Sequence, residues 1–200
     1  AEVLKTAAAI ARDYGAAHGV SLSFNTRVGT VAQYTDAKVD IAILGQVLSE
    51  LDPRAEPAVR LKSQVDIVRK VLANADTVVI VEPALRDRTR HLHALRDALV
   101  AEADGHARAY VHAPCLHSKA CPALLSETDW CHEDLAAVDL PDWVAGLARA
   151  AGLRWQGLTF SYLVLRKDPP QRAPANGIRF RVTSGLLQSK GKTELFACCE

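Results

Sequence analysis

Val39-Asp40-Ile41-Ala42-Ile43-Leu44 is a largely apolar run that passes directly into Gly45-Gln46-Val47-Leu48-Ser49-Glu50-Leu51. An apolar run of this length, bounded by glycine, reads as a buried strand that ends at a turn. Beyond it, Leu61, Val65, Val68 and Leu72 recur at the period of one helix face. Thr77-Val78-Val79-Ile80-Val81 is a further strand, apolar enough to be covered on both faces, and Glu82-Pro83 ends it. Strand, long helical crossover, strand is the parallel β-α-β arrangement. The predicted class is therefore α/β, with a doubly wound, mostly parallel sheet.

The flanking sequence extends that order in both directions. Val3, Ala7, Ile10 and Tyr14 form a stripe that predicts a helix over residues 1–17, and the alternating stretch 21–31 predicts a strand. Leu92, Leu95 and Leu99 mark another helix, followed by a short strand over 107–111. A helix over 141–150 should turn Trp143 and Leu147 inward. Residues 158–165 and 178–184 read as a strand pair, and 193–198 as a closing strand. Pro169-Pro170-Gln171-Arg172-Ala173-Pro174 has the composition of a linker. It separates an α/β body, residues 1–168 with a cysteine-rich loop at 112–132, from a small β appendage at 169–200.

Composition narrows the function classes. No apolar run approaches the ~20 residues of a membrane-spanning helix, and the N-terminal residues lack the basic and apolar segments of a secretory signal. A soluble, reducing compartment is the default expectation. The formal net charge is +1, yet residues 171–200 carry five basic side chains against Glu194 and Glu200. Arg179, Arg181, Lys190 and Lys192 in that segment are the candidate contacts to an anionic partner.

The chemistry concentrates in the cysteines. Cys115, Cys121 and Cys131 fall in one polar, proline-bounded loop, while Cys198 and Cys199 stand near the end of the chain. Thiols grouped in a loop, in a reducing compartment, predict a soft-metal site holding zinc or an iron–sulfur cluster. Successive loop cysteines are separated by five and nine residues, which matches neither a zinc-finger pair nor a bacterial ferredoxin run, so spacing does not name the metal. His117 and His132 flank these thiols as alternative ligands. Adjacent strand residues face opposite ways, so one of Cys198 and Cys199 can join a shared site. Gly45 and Gln46 end a strand at the sheet's carboxyl edge, where doubly wound folds bind ligands. Gly185 to Thr193 is not a phosphate-binding loop: five residues separate its glycines, where four are required.

Several phrases together resemble one family: Val39 to Leu51, Cys115…Cys121-Pro122-Ala123-Leu124, Asp129-Trp130-Cys131-His132, Phe160-Ser161-Tyr162-Leu163-Val164-Leu165 and Ser189-Lys190-Gly191…Cys198. These are similar to the methyltransferase-like proteins that accompany the mitochondrial small ribosomal subunit, and to their bacterial relatives. The resemblance implies a class I S-adenosylmethionine-dependent methyltransferase fold, association with small-subunit ribosomal RNA, and a four-cysteine [4Fe–4S] cluster. By that resemblance Cys115, Cys121 and Cys131 are the first three ligands, and Cys198, seven residues after the Lys190-Gly191 turn, is the fourth. The family's glycine-rich cofactor turn has no counterpart here, so the chain reads as a C-terminal portion lacking the first β-α-β unit. S-adenosylmethionine would then bind the full-length protein, facing Gly45 and Gln46. The expected function is a monomeric ribosomal small-subunit assembly or translation factor, cytoplasmic in bacteria and in the mitochondrial matrix of eukaryotes. The alternative is an active methyltransferase, for RNA or a small molecule, with a structural zinc. A third is a metal-stabilised binding module without chemistry.

Overall fold

A computed structural model of the chain describes residues 2–101, 109–136, 142–152, 157–172 and 177–200. The chain divides into two compact units, Ala1–Tyr34 and Thr35–Glu200. The first is built on α1 (Glu2–Ala17), as its apolar stripe predicts. Gly19, at φ 64°, reverses the chain, and the Val20 N–H bonds the Gly15 carbonyl at 2.8 Å. A Cβ on Gly15 would come within 2.6 Å of the Val20 oxygen, so this close return requires glycine there. The unit ends in a short 3-10 turn, Val31–Gln33, whose Gln33 side chain accepts the Thr30 N–H at 2.7 Å. The strand expected over 21–31 does not form. Alternation supplies one pleated edge, but a strand also needs a ladder partner, and no other strand is described in this unit.

The second unit carries the sheet. Its order is β1 (Val39–Gly45), β2 (Ala75–Pro83), β5 (Gly157–Arg166), β3 (Tyr110–Ala113), with β4 (Glu133–Ala136) also on β5. β1 and β2 are parallel, joined through α2 (Pro57–Asn74) as the β-α-β reading requires. β5 runs antiparallel to β2, β3 and β4. Four strands thus point one way and a single reversed strand lies among them. The α/β class holds, and the arrangement is compatible with a Rossmann-like fold. The late strand was expected to pair with the tail, but its residues Leu163 and Leu165 are buried, which places it inside the sheet.

Register shows which face is covered. Leu44, Ile80 and Leu163 lie in one row across the sheet, as do Val78, Leu165 and Val111. Against these pack Val65, Val68 and Leu72 of α2 and Leu92, Leu95 and Leu99 of α3 (Arg86–Val100), in one continuous core. Both helices therefore sit on the same face. Among the described residues, Ile41 and Ile43 on the other face of β1 are exposed, while Val79, Val81 and Val164 on that face are half-buried. A strand's apolarity signals burial but does not say what provides it. The helix near 141–150 forms as α4 (Asp142–Ala150) but buries Ala148, leaving Trp143 and Leu147 exposed. That reverses the inward orientation expected of them.

The tail forms two short ribbons within the second unit. β6 (Phe180–Val182) pairs with β9 (Ala197–Cys199), and β7 (Leu187–Ser189) with β8 (Lys192–Glu194) around Gly191 at φ 80°. The expected linker falls partly on residues outside those described, as does the start of the strand predicted at 107–111. Among the described residues no helix is long and apolar enough to cross a membrane.

A candidate cysteine-lined metal centre

β3 and β4 lie beside the same edge of β5. Ala113, the last residue of β3, pairs with Val164, and Glu133, the first of β4, pairs with Phe160. The chain between them leaves the sheet, carries Cys115, Cys121 and Cys131, and returns four residues away along β5. Ser161, Tyr162 and Leu163, left without ladder partners on that side, line the cavity formed under the excursion. Its volume is about 470 Å³, and Cys115, Cys121, Cys131 and Cys198 all line it. The four predicted ligands thus converge on one space from the loop and the tail. Cys199, exposed and opposite Phe180 in the β6–β9 ladder, does not line the cavity.

Three side chains of α3 hold the loop in place. Arg90 Nη1 donates to the carbonyls of Ala123 (2.8 Å), Ser126 and Asp129 (2.7 Å). Arg96, only 1% exposed, donates to the carbonyls of His117 and Lys119 and pairs with Asp97. Asp97 in turn accepts the Cys121 N–H at 2.9 Å. From the sheet, the Ser161 hydroxyl donates to the Cys131 carbonyl at 3.3 Å, so the Thr89 hydroxyl, 2.7 Å away, must be the donor to Ser161. Loop carbonyls cannot be left unpaired under a cavity wall, and these donors satisfy them. Sequence reading missed Arg90, Arg96 and Asp97. One signal was present: Arg96 stands four residues after Leu92 and three before Leu99, on the apolar stripe, where a cation needs buried partners.

The tail closes the far side. Arg172 donates to the Cys115 carbonyl at 2.7 Å. Arg181, opposite Cys198 in the ladder, donates to Cys131 Sγ at 2.7 Å and to Glu133 Oε1 at 3.0 Å. His117 Nε2 lies 3.3 Å from Cys198 Sγ. His132 turns instead toward Asp134 (3.6 Å) and stacks on Trp130. Burial pushes the Cys121 thiol up to about 11, and burial likewise raises Cys131 and Cys198, for which the Arg181 guanidinium is the opposing influence. These three thiols are protonated at neutral pH, so any metal bound there would have to displace their protons.

The donor set fits a soft-metal group: four thiols, with the buried Arg96 and the half-buried Arg181 offsetting the charge that deprotonation would create. Among the described residues, no three His, Cys, Asp or Glu side chains close around a point as ligands of a single ion.

The other expected site residues lie elsewhere. Gly45 and Gln46 are exposed at the carboxyl end of β1, with open space around Gly45, and neither lines a described cavity. Of the four tail cations, Arg181 turns into the cysteine cavity, so they do not form one outward surface. Arg179 pairs with Glu200, Lys192 with Glu194 at 2.8 Å, and Lys190 is exposed.

No curated protein matches this sequence. The family described as mitochondrial small ribosomal subunit Rsm22 matches it over residues 1–200. With the match spanning the sheet, the cysteine loop and the tail alike, the chain belongs to the methyltransferase-like Rsm22 family of the mitochondrial small ribosomal subunit.

Proposed function

We propose that this chain is part of a small-subunit assembly or translation factor that binds ribosomal RNA, braced by a [4Fe–4S] cluster on Cys115, Cys121, Cys131 and Cys198. The observation that carries the reading is the convergence of these four thiols, from loop and tail, on one cavity. The volume of that cavity, about 470 Å³, leaves room for a multi-iron cluster and is what supports that reading over one zinc ion. Ligand sulfurs stand farther apart around four irons than around one ion. A bound cluster supplies four metal–sulfur bonds that join loop to tail. The residues of the chain do the rest: Arg90 and Arg96 hold the loop carbonyls, Asp97 fixes the Cys121 backbone, and Arg181 hydrogen-bonds a ligand sulfur.

RNA contact, on this reading, falls to the β7–β8 turn with Lys190 and Lys192, and to Arg179, while Arg181 serves the cluster. S-adenosylmethionine in the full-length protein lies beside Gly45 and Gln46. The family description supports a mitochondrial location in eukaryotes. The test is anaerobic purification with iron, sulfide and zinc analysis of the wild type, Cys198→Ser and Cys199→Ser. Four irons with sulfide in the wild type and in C199S, and their loss in C198S, are expected. Stoichiometric zinc without sulfide would favour the methyltransferase with a structural zinc, and equal loss in both variants would remove Cys198 as the chosen ligand.

A further inference from the structure

A second cavity, of about 220 Å³, lies beyond the carboxyl ends of β1 and β2, where the first turns of α2 and α3 begin. Arg60 of α2, Arg88 and His91 of α3, Glu82 of β2 and Ser49 of the β1–α2 loop line it. Strand carboxyl ends facing helix N-termini are where α/β folds receive ligands, and the helix dipoles there favour anions.

The loop beside the cavity is held in an unusual conformation. Gln46 (φ 56°) and Asp52 (φ 50°) are left-handed without being glycine, and they bracket it. Buried side chains fix the segment between them. Glu82 accepts the N–H groups of Leu48 (2.9 Å) and Ser49 (3.2 Å). Gln64, fully buried, donates to the carbonyls of Leu48 (2.8 Å) and Leu51 (3.1 Å), which turns its oxygen to His91. His91 must therefore donate from Nε2 (2.9 Å). Burial, with the charge of Arg60, lowers the pKa of His91 and keeps it neutral. Strained backbone so heavily determined by its surroundings belongs to sites more often than to plain turns.

The cations are less well matched. Arg60 Nε is out of contact with water and has no hydrogen-bond partner. A buried guanidinium N–H without an acceptor calls for an explanation, and an anion in the cavity supplies one. Among the described residues, Arg88 pairs only with Glu50, at 3.7 Å and largely exposed. Glu82 turns its oxygens to the loop N–H groups, and among the described residues no hydrogen bond or ion pair joins it to either arginine.

We propose that this cavity binds a phosphate group between Arg60 and Arg88, with Ser49 and the α2 and α3 N-termini beside it. Two guanidinium forks approaching from different helices suit a tetrahedral oxyanion, and the cavity admits a phosphate with part of what carries it. The phosphate comes from a free nucleotide-like compound or from an RNA backbone, and this site is independent of the cysteine centre.

The test is calorimetry on the whole chain with inorganic phosphate, adenosine monophosphate and a short unstructured RNA. Saturable phosphate binding is expected, weakened tenfold or more in R60Q and in R88Q. E50Q should bind more tightly, because it frees Arg88. Displacement of phosphate by the RNA assigns the site to a backbone phosphate; displacement by the mononucleotide alone assigns it to a free compound. Arg88 is partly exposed, so R88Q keeps the test decisive if R60Q fails to fold. Absence of saturable binding by all three probes, or binding unchanged in R88Q and weakened in E50Q, would overturn the proposal.

Discussion

His93 gives the second unit a built-in sensitivity to acid. Its side chain is 7% exposed and lines the cysteine cavity, with α3 beneath it and Cys131 above. Burial pushes its pKa from 6.5 down to about 4, against the pull of the Cys131 backbone and the Asp97 carboxylate, with Arg90 and Arg96 adding to the depression. In the unfolded chain the ring takes its proton near 6.5; in the folded chain it does not until about 4. Between those values the unfolded state holds more protons, so stability falls as pH falls, and above 6.5 the group contributes no slope. At about 1.4 kcal/mol per unit, the full loss is about 3 kcal/mol, a large share of the ~5–15 kcal/mol that holds a domain together. The assay is urea unfolding from pH 7.5 to 4.0 of wild type and His93→Gln, at matched iron content. Carboxylate titrations common to both proteins cancel in the difference. The wild type should be the more stable at pH 7.5 and lose that lead progressively below pH 6.5. A stability difference constant across the range would refute the reasoning, because it would mean that His93 is protonated in the fold as easily as out of it.

Other expectations follow from the same geometry. Leu95→Ala, at a fully buried site in the core, should cost about 2–5 kcal/mol in denaturant unfolding. Arg90→Ala strips the donor from three loop carbonyls; it should cost about 2 kcal/mol and raise hydrogen exchange across residues 114–132, with β2 unaffected. Replacing Lys190 and Lys192 by glutamine should weaken binding to small-subunit RNA and lower its log–log salt slope by about 1–2, at unchanged iron content. An unchanged slope would show that the β7–β8 turn makes no phosphate contact.

Much of the fold was legible because its signals are local. Val39 to Leu44, the α2 stripe and the run at Thr77 to Val81 each carry their own periodicity, and they formed where expected. What failed depended on partners distant in sequence. Residues 21–31 alternate but have no neighbour to pair with, and the apolar face of α4 does not say whether anything covers it. Residues 158–165 read as a strand, yet nothing local says that it enters the sheet reversed, beside β2. At the candidate site the cysteines were visible as a cluster of one residue type, whereas the arginines that support them looked like ordinary helix charges. Arg181 is the sharpest case. Its alternation with Phe180 and Val182 was evident, but only the ladder to Cys198 decides that its face is the inner one.

β3 and β4 amount to one edge strand interrupted by the cysteine loop, with both feet registered on β5. Insertions and deletions therefore have very different consequences at neighbouring places in the gene. Codons added at the loop tip, around Ser126 to Thr128, leave both ladders undisturbed, and length there is free to drift. A single codon gained or lost between Phe160 and Val164 shifts the two ladders against each other and exchanges Ser161, Tyr162 and Leu163 between the faces of the sheet. The cavity wall would then be lost although every cysteine remained, so the segment least tolerant of length change is the cysteine-free strand opposite the loop.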